Sequence, residues 1–314
     1  MTITLAAIVA AAAPLVFASV GETLTERVGV VNLSLDGSIL LCALAGFAGA
    51  VTTGSVLVGY AAAAVVGATI AGIVAASSIS LGLNQIAVGF VLTILAAELS
   101  SFLGGDFVRI PGEAVPAWPI PGLSQIPVLG EILFDHNASV YASILVAMAA
   151  WWFLYRTRPG LELQAVGERP EAAFARGIDV NRLRMAYTLL GGALVGIGGA
   201  AFSLDVKFGW SEGHTTNFGW IALAIVIFGG WDPIRAMVGC WVFGALQILA
   251  LRLQPTFPGV AQILPIIPFP LMILTLVVVQ RPAFASVSDR RPSLRWLLRN
   301  DPPGGLAERF VSGS

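Results

Sequence analysis

Lysine is almost missing from this chain: Lys207 stands alone beside sixteen arginines. A Walker A loop needs Gly-Lys followed by Ser or Thr, and Lys207 sits in Asp-Val-Lys-Phe. The chain therefore has no nucleotide site of that kind; if ATP drives it, a separate subunit supplies the site. Cysteine and histidine are equally scarce. Cys42 and Cys240 fall inside apolar runs and read as small packing residues, not as a disulfide or metal pair. His136 and His214 lie in polar connections and form no ligand cluster. No His-Glu-x-x-His, Gly-x-Ser-x-Gly or Cys-x-x-Cys pattern occurs, so enzyme chemistry has no nucleophile or metal set to start from. Charge is short too. Only 11% of the residues are Asp, Glu, Lys or Arg, against roughly 25% in a soluble domain. A net charge of −1 makes no case for nucleic acid.

What the chain does have is apolar surface. Of its 314 residues 57% are hydrophobic, and the mean hydropathy is +0.85. That is an integral membrane protein, all-α, built as a polytopic bundle of transmembrane helices. Ile3 to Val20 is apolar and ends in small residues, but no basic stretch precedes it, so it reads as a first span and not as a signal peptide. Further spans follow at 38–54, at 55–75 and at 84–103, the last with Asn84 and Gln85 at its start and Glu98 near its end. Others run at 138–155, 185–204, 236–251 and 263–280. Glu98 is either a pathway carboxylate, since ionisable groups within spans are costly and often functional, or close enough to the end to snorkel.

Three stripes of small residues recur every four positions. They are Ser38, Cys42, Gly46, Ala50, Gly54; then Ser55, Gly59, Ala63, Gly67, Ala71, Ala75; and Gly192, Gly196, Ala200. On a helix such residues share a face and let backbones approach closely in lipid, so they are packing seams. Two places interrupt the apolar pattern. Residues 21–37, GETLTERVGVVNLSLDG, set Glu22, Glu26, Arg27, Asn32 and Asp36 beside hydrophobic spans. This is either a short cytoplasmic turn or a helix broken at membrane depth. Phe218 to Phe228 is only 11 residues long before Gly229-Gly230-Trp231-Asp232-Pro233, and a full span needs about 20. Residues 104–137 hold five prolines in 34 residues, which fits a rigid lid or a surface for an extracytoplasmic partner.

The one long, strongly charged stretch before the tail is 156–184, with six arginines and four acids. Such a loop either solvates a turn or docks on something in the cytoplasm. Its internal order favours docking. Gly167-Glu168-Arg169-Pro170 starts a helix with an early proline and acids near its N-terminus. Glu171-Ala172-Ala173-Phe174-Ala175-Arg176 continues it, and Gly177 stops it. A two-turn helix with a small-residue face is thereby held outside the bilayer.

Glu171-Ala172-Ala173, three further residues and Gly177 resemble the coupling segment of ABC-importer permeases. GERPEAAFARGIDVNRLRMAYTLLGGALVGIGGA resembles the branch serving nucleosides, simple sugars and branched-chain amino acids, and looks nearest to the smaller nucleoside-type permease. ERVGVVNLSLDG is similar to that branch's N-terminal signature, with Ser34 where glycine is usual and Asp36 where glutamate is usual. The broken region at 229–233 and PFPLMILTLVVV near the end look like two further family motifs. The resemblance implies a permease subunit in a bacterial inner membrane that forms a pathway for a small polar solute, a nucleoside first and a simple sugar next. It implies Gly167, Glu168, Pro170, Glu171, Ala172, Ala173 and Gly177 as the coupling element to an ATPase subunit. Asn32, Asp36 and Gly37 become candidates for the pathway or gate, with Asn84, Gln85 and Glu98 beside them. The expected partners are that ATPase, a second permease subunit (alike or unlike), an extracytoplasmic solute-binding protein and membrane lipid. No cofactor is expected on this chain, with ATP and magnesium held by the partner subunit.

Setting 156–184 inside and alternating through nine crossings puts Arg27, the six loop arginines, Arg235 and six tail arginines on one side. Arg109, Lys207 and Arg252 fall on the other. This positive-inside split gives an outside N-terminus and an inside C-terminus. Residues 1–281 then form the permease domain, and 282–314 an Arg-rich cytoplasmic tail whose 291–299 stretch reads as an interfacial helix. The competing function is an ion-coupled secondary transporter using Asp36 and Glu98.

Overall fold

The structure is a computed structural model that describes residues 2–112, 115–127, 129–257 and 302–310, with isolated positions between 259 and 274. Among these residues every regular element is helical. In chain order they are α1 (Thr2–Arg27), α2 (Leu35–Thr53), α3 (Val56–Ile79), α4 (Gln85–Gly104), α5 (Leu129–Leu133) and α6 (Ala138–Arg156). Then come α7 (Arg158–Glu168), α8 (Pro170–Ala175), α9 (Val180–Ala201), α10 (Phe218–Phe228) and α11 (Pro233–Leu253). Seven of them (α1, α2, α3, α4, α6, α9 and α11) are long and apolar enough to cross a membrane, and α10 is a shorter apolar helix. The expected span at 263–280 lies outside the described residues except at isolated positions, and the interfacial helix at 291–299 lies wholly outside them.

The first span is the mast of the bundle. Leu15, Val16, Phe17, Ala18 and Val20 of α1 are almost fully buried, packed among residues of α2, α6, α9, α10 and α11. The helix also runs further than the sequence suggests. Residues 21–37 were expected to form one polar interruption, but α1 continues to Arg27 and the break is confined to 28–34. Glu22 and Glu26 are therefore helical and buried, tolerated because α1 is covered by other helices and not by lipid.

The three small-residue stripes meet one another. A Cβ built on Gly46 of α2 would come within 2.7 Å of the Ala200 Cβ on α9. One on Gly67 of α3 would press on the Gly192 carbonyl and come within 2.8 Å of the Gly196 nitrogen. Gly196 in turn faces the Ala63 carbonyl. Without a hydrophobic drive between helices in lipid, such close approach supplies the packing energy that holds α2, α3 and α9 together. Gly67→Ala is expected to force these backbones apart at a cost of about 1–3 kcal/mol. The melting temperature of the detergent-solubilised protein should fall by about 5 °C. Gly105→Ala, where nothing lies within 4 Å, should leave it unchanged.

Candidate functional site

The charged loop folds as two helices. Thr157 caps α7, its side chain accepting from the Gly160 N–H at 3.2 Å, and Pro170 opens α8. Gly177 closes α8 with φ +84°, a left-handed conformation that favours glycine. Its N–H donates to the Phe174 carbonyl at 2.8 Å, and that of Ile178 to Ala173 at 3.2 Å. Pro170 and Ala173 face inward, Ala173 joining a core of Leu24, Val28, Leu163, Val166 and Val180. Glu171, Ala172, Phe174 and Arg176 point away from the bundle and are exposed. The helix thus presents Glu171, Ala172, Phe174 and Arg176 outward while its other face is seated on α7 and the start of α9.

Its root is tied to α1. Gly167 is buried, and a Cβ there would run into the Arg27 carbonyl. Glu168, exposed, stands 3.8 Å from the Arg27 guanidinium; half in water, that pair alone contributes little. Arg27 does more on its other side. Its Nε donates to the Trp231 carbonyl at 2.8 Å, and Nη2 donates to the Gly230 carbonyl at 3.2 Å and the Tyr155 hydroxyl at 3.3 Å. Glu26 accepts from the Trp231 indole N–H, with Trp231 itself at φ +53°. Adjacent residues of α1 therefore grip the Gly229–Asp232 break from two directions, and one of them also reaches the loop that carries α8.

The first break lies against α4. The Val31 N–H donates to the Gln85 side chain at 2.8 Å, and Thr93 donates to the Leu33 carbonyl at 2.7 Å. Gln85 and Thr93 are eight residues apart on one helix, about 12 Å, so the 28–34 segment climbs along α4 and α2 starts at depth. Asn32 is buried and folds this segment. Its Oδ1 accepts from the Ser34 N–H at 3.1 Å and the Ser34 hydroxyl at 2.5 Å, while its own N–H donates to Glu22 at 3.2 Å. Gly37 lies against the Thr93 backbone, where a side chain would collide. Asp36, in the first turn of α2, accepts from the Gly219 N–H at 3.0 Å and so caps α10. The N-termini of α2 and of the short α10 thereby converge on one carboxylate.

The remaining candidates sit elsewhere. Asn84 is the exposed N-cap of α4, accepting from the N–H groups of Ile86 and Ala87 at 2.9 and 3.2 Å. Glu98 is exposed on the outward face of α4, among Leu95, Leu99 and Phe102. At the opposite end from α8, the 104–112 loop pairs with the connection after α9, the Gly112 N–H donating to the Phe208 carbonyl at 2.9 Å. There Tyr60 donates to Asp205. Burial holds His214 below the usual histidine pKa, with Lys207 pushing the same way against the Ser211 carbonyl, so its imidazole is neutral near pH 7.

Sequence reasoning missed three parts of this arrangement. The α7 helix had a signal, Thr157 followed by Pro159 and the apolar set Leu163 and Val166. Trp231 looked like a loop residue within a Gly-Gly break. Residues 302–310 had no motif at all, yet they pack on the α8 root, the Gly305 N–H donating to the Gly167 carbonyl at 2.8 Å.

The family model for the permease component of branched-chain amino acid transport systems matches residues 4–276. The chain is 39% identical to a putative glucose ABC transporter permease of Haloferax volcanii, over 79% of this chain and 77% of that one. It is 34% identical to a nucleoside ABC transporter permease of Lactococcus lactis subsp. cremoris, over 88% and 92% of the two chains. A guanosine ABC transporter permease of Bacillus subtilis is 31% identical over 84% and 88%. No solved structure matches.

Proposed function

This chain belongs to the branched-chain amino acid transport system permease family, and from that premise we propose that it couples a separate ATPase to solute movement through α8. It is a transport subunit of an ABC system, a multi-pass plasma membrane protein and not an enzyme. ATP and magnesium belong to the ATPase. An extracytoplasmic binding protein delivers the solute, and a second permease subunit completes the pathway. The solute is a nucleoside, the class named for two of the relatives, with a simple sugar the contrast to test. Nine crossings with the N-terminus outside put the Arg-rich segments and α8 on the ATPase side, with residues 1–281 as the permease domain.

The observation that carries this reading is the double attachment of Arg27. A displacement of α8 by the ATPase pulls on Gly167 and Glu168, which meet Arg27; Arg27 in turn holds the Gly230 and Trp231 carbonyls at the second helix break. Asn32, Asp36 and Gly37 fold the first break and act as the gate that this linkage works. The ion-coupled reading finds no support, because the Asp36 carboxylate is occupied as a helix cap and Glu98 faces outward.

The test is co-purification from solubilised membranes with the ATPase co-expressed. Glu171→Arg reverses the charge of the exposed face, and Gly177→Pro is incompatible with φ +84°. Both should reduce the recovered ATPase at least about tenfold while the permease still inserts. Uptake of labelled adenosine or guanosine, but not glucose, should depend on the native chain. Full recovery of the ATPase by both variants would remove α8 as the coupling element.

A further inference from the structure

Residues 302–310 form a strap that touches segments far apart in sequence. The Ala307 N–H donates to the Gly29 carbonyl at 3.1 Å, and the Gly304 and Gly305 N–H groups donate to the Glu168 carboxylate and the Gly167 carbonyl at 3.2 and 2.8 Å. Arg184 of α9, only 2% exposed, donates from Nη1 to the Glu308 carbonyl at 2.7 Å and from Nη2 to the Gly305 carbonyl at 3.3 Å. Glu171 on α8 and Glu308 on the strap are near enough for their charges to act on it. The Phe310 ring packs on Phe174 of α8 with centroids 5.4 Å apart, and is buried among Leu24, Val74, Leu163 and Ala173.

The seat is fitted on both sides. A Cβ on Gly305 would come within 3.0 Å of both the Gly167 oxygen and the Pro170 Cδ. Gly29 has φ +96°, and a Cβ there would come within 2.8 Å of the Arg184 guanidinium. Ala307 is held at φ +63°, a conformation an alanine keeps only where its surroundings fix it. Without the strap, the Arg184 guanidinium would lose the two carbonyls that accept from it.

We propose that this strap is a working half of the coupling platform: it fixes the root and inner face of α8, and its exposed residues stand on the surface the ATPase meets. Fixing the root is what makes α8 a lever and not a loose finger. Gly167, Glu168 and Pro170 each touch the strap or lie against it. Phe310 places the strap against the exposed Phe174, and its neighbours Glu308 and Arg309 are exposed, Arg309 lying against Gly82 in the turn between α3 and α4; a subunit that covers α8 and this turn covers the strap as well. The inference rests on the coupling function proposed for α8.

The experiment compares three full complexes, each with the ATPase and binding protein co-expressed: the native chain, a chain lacking 302–314, and Gly305→Val, which keeps the strap but obstructs its seat. Both variants should insert and elute as the native permease does, recover at least about fivefold less ATPase, and lose solute-stimulated hydrolysis in whatever complex remains. Full recovery with full stimulation in both would overturn the proposal. If the native chain itself recovers no ATPase, the coupling function fails and not the strap alone. Should either variant be poorly folded, Phe174→Cys with Glu308→Cys in the otherwise intact chain gives a second reading, since Cys42 and Cys240 are buried. A bis-maleimide of about 10 Å reach should cross-link the pair; no cross-link would mean the strap is not seated on α8, which also overturns the proposal.

Discussion

Arg27→Ala is expected to cut solute uptake at least about a hundredfold while the ATPase still co-purifies. The side chain makes three hydrogen bonds, two of them to carbonyls of the Gly229–Asp232 break, and one ion pair toward the α8 root. It is largely buried at 12% exposure, whereas Glu168 is half exposed, so the loss falls on the carbonyl side. Hydrogen bonds from a charged donor contribute about 1.5–3 kcal/mol each, and two of them exceed the roughly 2.8 kcal/mol that corresponds to a hundredfold change. The exposed face of α8, the surface proposed to meet the ATPase, does not include Arg27 and is left unchanged. Hydrolysis should therefore continue without transport, an uncoupled complex. Arg27→Lys should recover little, since a single ammonium cannot span the Gly230 and Trp231 carbonyls as the fork does. The measurement is the ratio of solute transported to ATP hydrolysed in proteoliposomes. If Arg27→Ala lowers both together, the residue supports folding or docking and does not transmit.

How much of this was legible in the chain depends on the distance over which each feature is determined. The α8 helix was readable from Pro170 to Gly177, because proline at its start and glycine at its end are local backbone requirements; Gly167 and Glu168, expected to start it, instead end α7, with Arg169 breaking the two helices apart. The seams were readable because a four-residue period is local, although which seam meets which is a tertiary fact. The break at 21–37 was misplaced by one residue type: buried glutamates look like loop residues when a helix is assumed to face lipid. Glu22 and Glu26 are instead held by the Asn32 N–H and the Trp231 indole, partners 10 and 205 residues away. The 302–310 strap was illegible for the same reason. Its glycines and prolines read as a polar tail until Gly29, Gly167 and Arg184 supply the surface that they fit.

The Asp36 pair of substitutions separates a structural carboxylate from a working one. In α10, Asn217 stands at the N-cap with φ 72° and makes no side-chain cap hydrogen bond. The cap comes instead from Asp36, whose Oδ1 accepts from the Gly219 N–H. Asp36→Asn keeps one acceptor oxygen for the Gly219 N–H while removing the charge and turning the second oxygen into an amide donor. Asp36→Ala removes the acceptor and leaves a buried N–H unpaired, at about 1–3 kcal/mol, where two helix ends with positive dipoles already face each other. Transport should therefore survive in Asp36→Asn to within about threefold and fall at least about tenfold in Asp36→Ala, a free-energy gap of the size a lost cap produces. The same ordering should appear in the melting temperature of the solubilised protein. Equal and severe loss in both, with stability unchanged in Asp36→Asn, would show that the negative charge itself acts on the passing solute. The gate would then have to be built around that charge, and not around the backbone it holds.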